Sequence, residues 1–203
     1  MVEIYLFVNP LGGVCLEIEK EIIQLSVNDK KKIQLRFIPL LNMKTINEFL
    51  SRQHIPINDI KRRNRIFEDL YSAALDYKAA QLQGRKKGRQ LLIGLQKAVA
   101  EDGLAYSPEL SEELLLAAGG DIDMYRKDRQ SDFVKESFQT DQKVAREMGI
   151  KQHPTAVVYN YTCENDFGIL VENFENIPPP PPPPPAQPPP PPPAPQPHPP
   201  PLH

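Results

Sequence analysis

Cys15 and the pair His153-Pro154 are the residues whose types and positions point most directly to chemistry. Cys15 lies where a helix is predicted to begin, and the free N–H groups and positive dipole end of a helix N-terminus stabilise a thiolate. His153 becomes a basic neighbour of that thiol if the fold brings the two together. The pattern indicates either a reactive thiolate or a buried, inert cysteine at the inner end of the helix, and we favour the inert cysteine.

The segment around Cys15 is predicted to form a strand, a helix and a second strand. The apolar run from Val2 to Val8 predicts a strand that ends at Asn9-Pro10, and Gly12-Gly13 then allows the chain to turn. The helix that follows has one predicted apolar stripe, formed by Val14, Ile18, Ile22 and Leu25. Residues 33–38 alternate in polarity and predict the second strand. This order predicts a right-handed parallel βαβ unit.

The middle of the chain, residues 45–148, contains no strand-like run and is predicted to be helical. Helices are predicted over residues 58–82, 88–100 and 121–148, the last as one long helix or a pair. Another begins at Ser107-Pro108, where serine can cap the helix and proline suits its first position. Gly149 ends the helical block. Residues 155–159 and 167–171 then predict the two strands of a β-hairpin.

This order of elements predicts an α/β, thioredoxin-like fold of the DsbA type with a helical insertion. We divide the chain into a thioredoxin-like βαβ half (residues 1–44), a helical insertion (45–148), a β-hairpin half (149–177) and a tail (178–203). In this layout the attacking cysteine of a C-x-x-C motif belongs at position 12, where the chain has Gly12. We therefore predict a vestigial redox site formed by Gly12, Cys15, His153 and Pro154, with a cis peptide bond before Pro154.

The tail is defined by its proline content, since 19 of the 24 prolines lie in residues 178–203. Proline has no N–H to donate, so the tail is predicted to be a disordered, extended polyproline II segment. It is either a ligand for a groove that recognises polyproline or a plain spacer, and we favour the spacer.

Composition and charge exclude several classes of function. A net charge of −2 gives no general reason to bind nucleic acid or an anionic membrane. We expect no membrane span, since no run of about 18 apolar residues occurs, and no signal peptide, since the N-terminus has no basic leader. The four histidines lack metal-ligand spacing, so we expect neither a metal nor a cofactor.

The cysteine content also predicts the compartment. Two cysteines, Cys15 and Cys163, are too few for a disulfide scaffold, and this fits a reducing cytoplasm. Cys163 lies beyond the predicted strand 155–159 and is expected to be a turn residue that is not bonded to Cys15.

Two basic clusters, residues 61–65 and 85–89, are candidates for binding. They form either a docking face for an acidic partner or nucleic acid, or solvated helix faces balanced by acidic residues elsewhere. The candidate contact residues are Arg85, Lys86, Lys87 and Arg89.

Longer stretches of the chain carry a family resemblance. These stretches are Asn9-Pro10-Leu11 ahead of Cys15, AAQLQGRKKGR at residues 79–89, Leu95-Gln96, and FQTDQKVAREMGI at residues 138–150 before His153-Pro154-Thr155. In them the chain resembles the SpxH (YjbH) family, DsbA-related adaptor proteins of low-GC Gram-positive bacteria, over residues 1–173. Many members of this family have C-x-x-C where this chain has Gly12-Gly13-Val14-Cys15.

The resemblance implies a cytoplasmic, non-catalytic adaptor that binds the transcriptional regulator Spx and promotes its degradation by the protease ClpXP. Such an adaptor raises the local concentration of a substrate at the protease or holds its degron in an accessible conformation. We expect the helical insertion and the sheet edge to carry the contact surface. The alternative is a thiol-disulfide oxidoreductase or glutathione-transferase-like enzyme that uses Cys15.

Overall fold

A computed structural model describes residues 2–28, 33–160, 168–172 and 174. The tail (178–203), Cys163 and the residues that join the two hairpin strands lie outside the described residues. The elements of the described part are β1 (Val2–Val8), α1 (Gly13–Asn28), β2 (Ile33–Pro39), α2 (Met43–Arg52), α3 (Ile60–Leu82), α4 (Arg85–Ala100), α5 (Pro108–Ala117), α6 (Ile122–Arg129), α7 (Asp132–Glu147), β3 (Thr155–Asn160) and β4 (Ile169–Val171).

The four described strands form one sheet in the order β2-β1-β3-β4. β1 and β2 are parallel, with Val2 opposite Ile33, and β3 runs antiparallel to both β1 and β4. The parallel βαβ unit and the hairpin strands were therefore predicted correctly, and the architecture is a thioredoxin-like α/β fold with helices inserted between β2 and β3. In the described part of the chain, no helix combines the length and the apolar character needed to cross a bilayer.

Side chains alternate between the two faces of the sheet, and each face packs against different helices. Leu6 and Val8 of β1 lie in a core shared with α1. Phe7, from the same strand, lies on the other face in a core that includes Ala145 of α7. Tyr77 of α3 and Leu92 of α4 belong to the core on the α1 side, so the inserted helices pack directly on the sheet half of the fold.

The buried face of α1 matches the predicted stripe only in part. Ile22 is 6% exposed and Ile18 packs against the same core, as predicted, and the side chain of Leu25 lies outside the described residues. Val14 is 46% exposed, whereas Cys15, Leu16 and Glu19 are almost completely buried. The helix begins at Gly13, against the end of β1, and also packs on α4. This second neighbour covers the side of the helix that contains Glu19, and the period of the apolar residues alone could not indicate that.

The inserted helices surround α3, whose C-terminal half is buried. α4 begins at Arg85 rather than at residue 88, and residues 121–148 form the pair α6 and α7. α2 was not predicted as a separate helix, although most of it lies in the block predicted to be helical. Its N-cap Asn42 and Thr45 cap each other's backbone N–H groups in a capping box. The predicted division between residues 44 and 45 lies inside this helix.

The ends of the other helices follow local signals. Ser107 caps α5 by accepting a hydrogen bond from the N–H of Leu110, with Pro108 at the first helical position, as predicted. Gly149 ends the helical block with φ of 71°, a conformation that favours glycine. The N–H of Ile150 then bonds to the carbonyl of Ala145, which closes the end of α7.

The buried carboxylate of Asp76 links α3 to two other inserted helices, α5 and α6. It is 1% exposed and accepts hydrogen bonds from Ser111 of α5 and from Tyr106, each at 2.6 Å. It also forms an ion pair with the Nε of Arg129 of α6, whose Nη2 donates to Ser72. A buried charge with several partners fixes the mutual positions of the elements that supply them.

We expect Asp76→Asn to lower the free energy of unfolding by about 3 kcal/mol, because it leaves the half-buried Arg129 without a counter-ion. Urea denaturation followed by circular dichroism measures this. Asp102→Asn, an exposed site after α4, is the control and should change stability by less than about 0.5 kcal/mol. Equal stabilities for the two variants would contradict the role given to Asp76.

Candidate functional site: a buried thiol at the end of the sheet

Cys15 and His153 meet at the end of the sheet, as expected from the sequence. Cys15 lies in the first turn of α1, and His153 precedes β3, whose Thr155 is opposite Phe7 of β1. The Sγ of Cys15 is 3.9 Å from the Nδ1 of His153. The peptide bond between His153 and Pro154 is cis, as predicted.

Asn9 fixes the turn that joins β1 to α1. Its backbone N–H donates to the Sγ of Cys15 at 3.3 Å, and its side-chain Oδ1 accepts from the N–H of Leu11 at 2.9 Å. Its carbonyl accepts from the N–H of Gly12 at 3.2 Å and from the Nε2 of Gln96 at 2.9 Å. The N–H, the carbonyl and the side-chain Oδ1 of Asn9 are thus all used in bonds within the protein.

Burial keeps both members of the pair neutral. Cys15 is 1% exposed and His153 is 4% exposed. Burial raises the pKa of the Cys15 thiol to about 12, which outweighs the lowering effect of the N–H from Asn9. Burial also lowers the pKa of the His153 imidazole to about 4, with a smaller contribution from the positive charge of Arg52. A thiolate–imidazolium pair is therefore disfavoured from both sides.

Gly12 occupies the place where a redox enzyme of this fold would carry its attacking sulfur. A Cβ at this position would lie 2.9 Å from the Cβ and 3.1 Å from the Cγ of Asn9. The side chain of Asn9 is itself held by its bond to Leu11. A side chain at position 12 would therefore require Asn9 or the neighbouring backbone to shift.

Glu19 and Gln96 form a buried polar pair beside the thiol that the sequence analysis missed. Both are 0% exposed, and the Nε2 of Gln96 donates to the Oε1 of Glu19 at 2.6 Å. Burial raises the pKa of the Glu19 carboxyl to about 8, although the bond from Gln96 lowers it. A signal was present, since Glu19 follows Cys15 by four residues and so shares its helix face.

The predicted binding residues lie elsewhere, in the first turns of α4. Arg85 and Arg89 line a groove beside β2 of about 540 Å³, whereas Lys86 and Lys87 lie outside its lining. No hydrogen bond or ion pair of the described residues joins any of the four to Cys15 or His153. Among the described residues, no group of three or more His, Cys, Asp or Glu side chains is placed to hold a metal ion.

We expect Cys15 to resist alkylation in the folded protein. With the thiol pKa near 12, its thiolate fraction is on the order of a thousandfold smaller than that of an ordinary cysteine. In a Cys163→Ser background, iodoacetamide labelling followed by mass spectrometry should be at least about a hundredfold slower in buffer than in urea. Similar rates in the folded and unfolded protein would show that Cys15 is accessible and reactive.

We expect the stabilising contribution of Glu19 to the free energy of unfolding to decrease as the pH rises. The pKa of Glu19 is about 8 in the folded protein against an ordinary 4.5, so its contribution is complete below pH 4.5 and is lost toward pH 8. The slope is at most about 1.4 kcal/mol per pH unit. Urea denaturation should therefore show Glu19→Gln gaining on the wild-type protein as the pH is raised through this window.

The lowered pKa of His153 makes the free energy of unfolding rise with pH between about pH 4 and its ordinary pKa of 6.5. This effect cancels in the comparison, because wild type and Glu19→Gln both contain His153. Glu17→Gln, at an exposed position of the same helix, is the matched control. If the difference in unfolding free energy between Glu19→Gln and wild type did not vary with pH, a raised pKa of Glu19 would be contradicted.

The sequence matches a known protein family and several named relatives. A family model described as thioredoxin matches residues 5–178. The chain is 27% identical over 171 residues to the ClpXP adapter protein SpxH of Staphylococcus saprophyticus, covering 84% of this chain and 60% of the relative. It is also 27% identical over 186 residues to the ClpXP adapter protein SpxH of Bacillus subtilis, covering 83% and 62%. The chain thus spans about three fifths of the length of these relatives.

Solved structures resemble the fold at low sequence identity. The oxidoreductase DsbA from Xylella fastidiosa superposes with a TM-score of 0.59 at 14% identity, covering 85% of this chain and 77% of that one. DsbA of Pseudomonas aeruginosa gives a TM-score of 0.53 at 14% identity, covering 77% and 69%. The match of the family model over most of the chain, together with the sheet order and the site at the start of α1, shows that the chain belongs to the thioredoxin family.

Proposed function

We propose that this protein is a non-catalytic adaptor that binds an Spx-like transcriptional regulator and delivers it to the ClpXP protease. The observation that carries the proposal is the similarity to proteins named ClpXP adapter protein SpxH over more than four fifths of this chain. That similarity spans the inserted helices as well as the sheet half of the fold.

The buried thiol supports binding over redox catalysis. Disulfide exchange requires a thiolate that can reach a substrate sulfur. Here Gly12 has no sulfur, and Cys15 is 1% exposed with its thiol pKa raised to about 12. An adaptor needs neither property, since it makes and breaks no covalent bond.

The same proposal assigns the partners and the compartment. An adaptor for a cytoplasmic protease acts in the cytoplasm, and its partners are the regulator and ClpXP rather than nucleic acid or a membrane. The contact surface is assigned to the inserted helices and the neighbouring sheet edge, with Arg85 and Arg89 as its cationic groups and Lys86 and Lys87 at its margin.

We expect purified protein to accelerate the degradation of Spx by ClpXP, and Cys15→Ala to accelerate it to within about twofold of wild type, because no step uses the thiol. Loss of Spx on denaturing gels over time is the measurement. Reduction of insulin disulfides by wild type and Cys15→Ala is measured in parallel and should be absent in both.

Two results would contradict the proposal. One is unchanged Spx degradation when folded adaptor, regulator and protease are combined. The other is insulin reduction by the wild-type protein that disappears in Cys15→Ala.

A further inference from the structure

β2 lies at the edge of the sheet formed by the described strands. Among the described strands its single neighbour is β1. The N–H of Leu40, just after β2, bonds to the carbonyl of Val8 in β1. The even-numbered residues of β2 therefore direct their backbone N–H and carbonyl groups toward β1. Backbone groups alternate along a strand, and those of Ile33, Leu35 and Phe37 therefore point outward.

The C-terminal half of this outward edge is already occupied. The hydroxyl of Tyr77 donates to the carbonyl of Phe37 at 3.1 Å, and the Nε2 of Gln142 donates to the carbonyl of Pro39 at 2.7 Å. Pro39 has no N–H to offer. Both contacts also confirm the outward direction of the odd-numbered residues.

The remaining part of the edge, from Ile33 to the N–H of Phe37, faces a groove. No described residue bonds to the outward N–H groups of Leu35 and Phe37. The groove has a volume of about 540 Å³ and lies between β2, α3, α4 and α7. An unpaired edge beside a groove of this kind can accept one short additional strand.

The groove has an excess of positive charge. Lys78 is paired with Asp141 at 2.8 Å, and Arg36 is paired with Glu3 at 2.9 Å. Arg85 and Arg89 also line the groove, and neither forms an ion pair with any described residue. The charge left over for a ligand is therefore that of two guanidinium groups, which are suited to carboxylates.

We propose that an extended, acidic segment of a partner protein binds in this groove as a short strand added to the open edge of β2, with its carboxylates on Arg85 and Arg89. The inference deepens the proposed function and rests on it for the identity of the partner, the Spx-like regulator. Backbone pairing at Leu35 and Phe37 supplies the geometry, and the two arginines select negative charge.

Two other occupants fit less well. Proline accounts for 19 of the 26 residues of the segment 178–203, and proline has no N–H, so this segment is poorly suited to a strand ladder. A second copy pairing edge to edge would place the arginines of both copies beside one shared interface, where like charges repel. An extended acidic segment can both pair with the outward backbone groups of β2 and neutralise the charges of Arg85 and Arg89.

The first test uses two synthetic peptides as probes, one of alternating valine and glutamate and one of alternating valine and lysine. Fluorescence anisotropy should show binding of the glutamate peptide alone. R85E/R89E should weaken it at least about tenfold. K97E/K127E, which makes the same charge change at exposed positions of α4 and α6 outside the groove, should stay within about twofold. Equal effects of the two double variants, or no binding of the glutamate peptide, would overturn the inference.

The second test examines the backbone. Hydrogen exchange should show new protection of the Leu35 and Phe37 amides when the glutamate peptide or Spx is bound. Leu35→Pro removes the outward N–H, and Leu35→Ala removes only the side chain, so Pro should weaken binding at least about fivefold more than Ala. Thermal unfolding verifies that both variants fold.

The outcomes separate the two proposals. Spx that binds and is degraded faster without new protection at Leu35 and Phe37 overturns the groove inference and leaves the adaptor function standing. Glutamate peptide that binds in the groove while Spx degradation is unchanged supports the groove and overturns the adaptor function. Dimerisation through β2, seen as new Leu35 protection that depends on protein concentration, overturns the inference.

Discussion

The conformation of the turn from Asn9 to Cys15 is the constraint on which the site depends. Asn9 bonds through its N–H, its side chain and its carbonyl, and the last of these reaches Gln96 of the inserted helices. Gln96 also holds the buried Glu19 of α1. The inserted helices and the sheet half are therefore joined at the point where a redox enzyme of this fold would expose its sulfur.

Two opposing effects, the helix N-terminus and burial, set the pKa of the Cys15 thiol. A position in the first turn of a helix lowers a thiol pKa only while the thiolate keeps some contact with water. Here desolvation is the largest contribution, and the neighbouring Glu19 further disfavours a negative charge. The elements that could activate a cysteine at a helix N-terminus thus surround a thiol whose pKa is raised, because the thiol is buried.

The sequence was sufficient for the order of elements, for the proximity of Cys15 and His153 and for the cis bond at Pro154, since these follow from local patterns and one fold template. It was insufficient for the side of α1 that packs on α4, for the separate helix α2 and for the partner of Glu19. The partner of Glu19 lies 77 residues away, and no local period encodes such a contact. The Asp76 network was missed for the same reason, because its partners come from separate helices.

The inserted helices also determine how much of β2 remains available. A bare edge strand pairs indiscriminately, and proteins limit this by covering the edge or placing proline on it. Tyr77 and Gln142 cover the carbonyls of Phe37 and Pro39, and both belong to inserted helices. What stays open is too short to pair stably by backbone bonds alone, so any ligand there must gain the rest of its affinity from side chains. Because Arg85 and Arg89 belong to the same insertion, one set of helices both restricts the edge and sets the charge of what can bind to it.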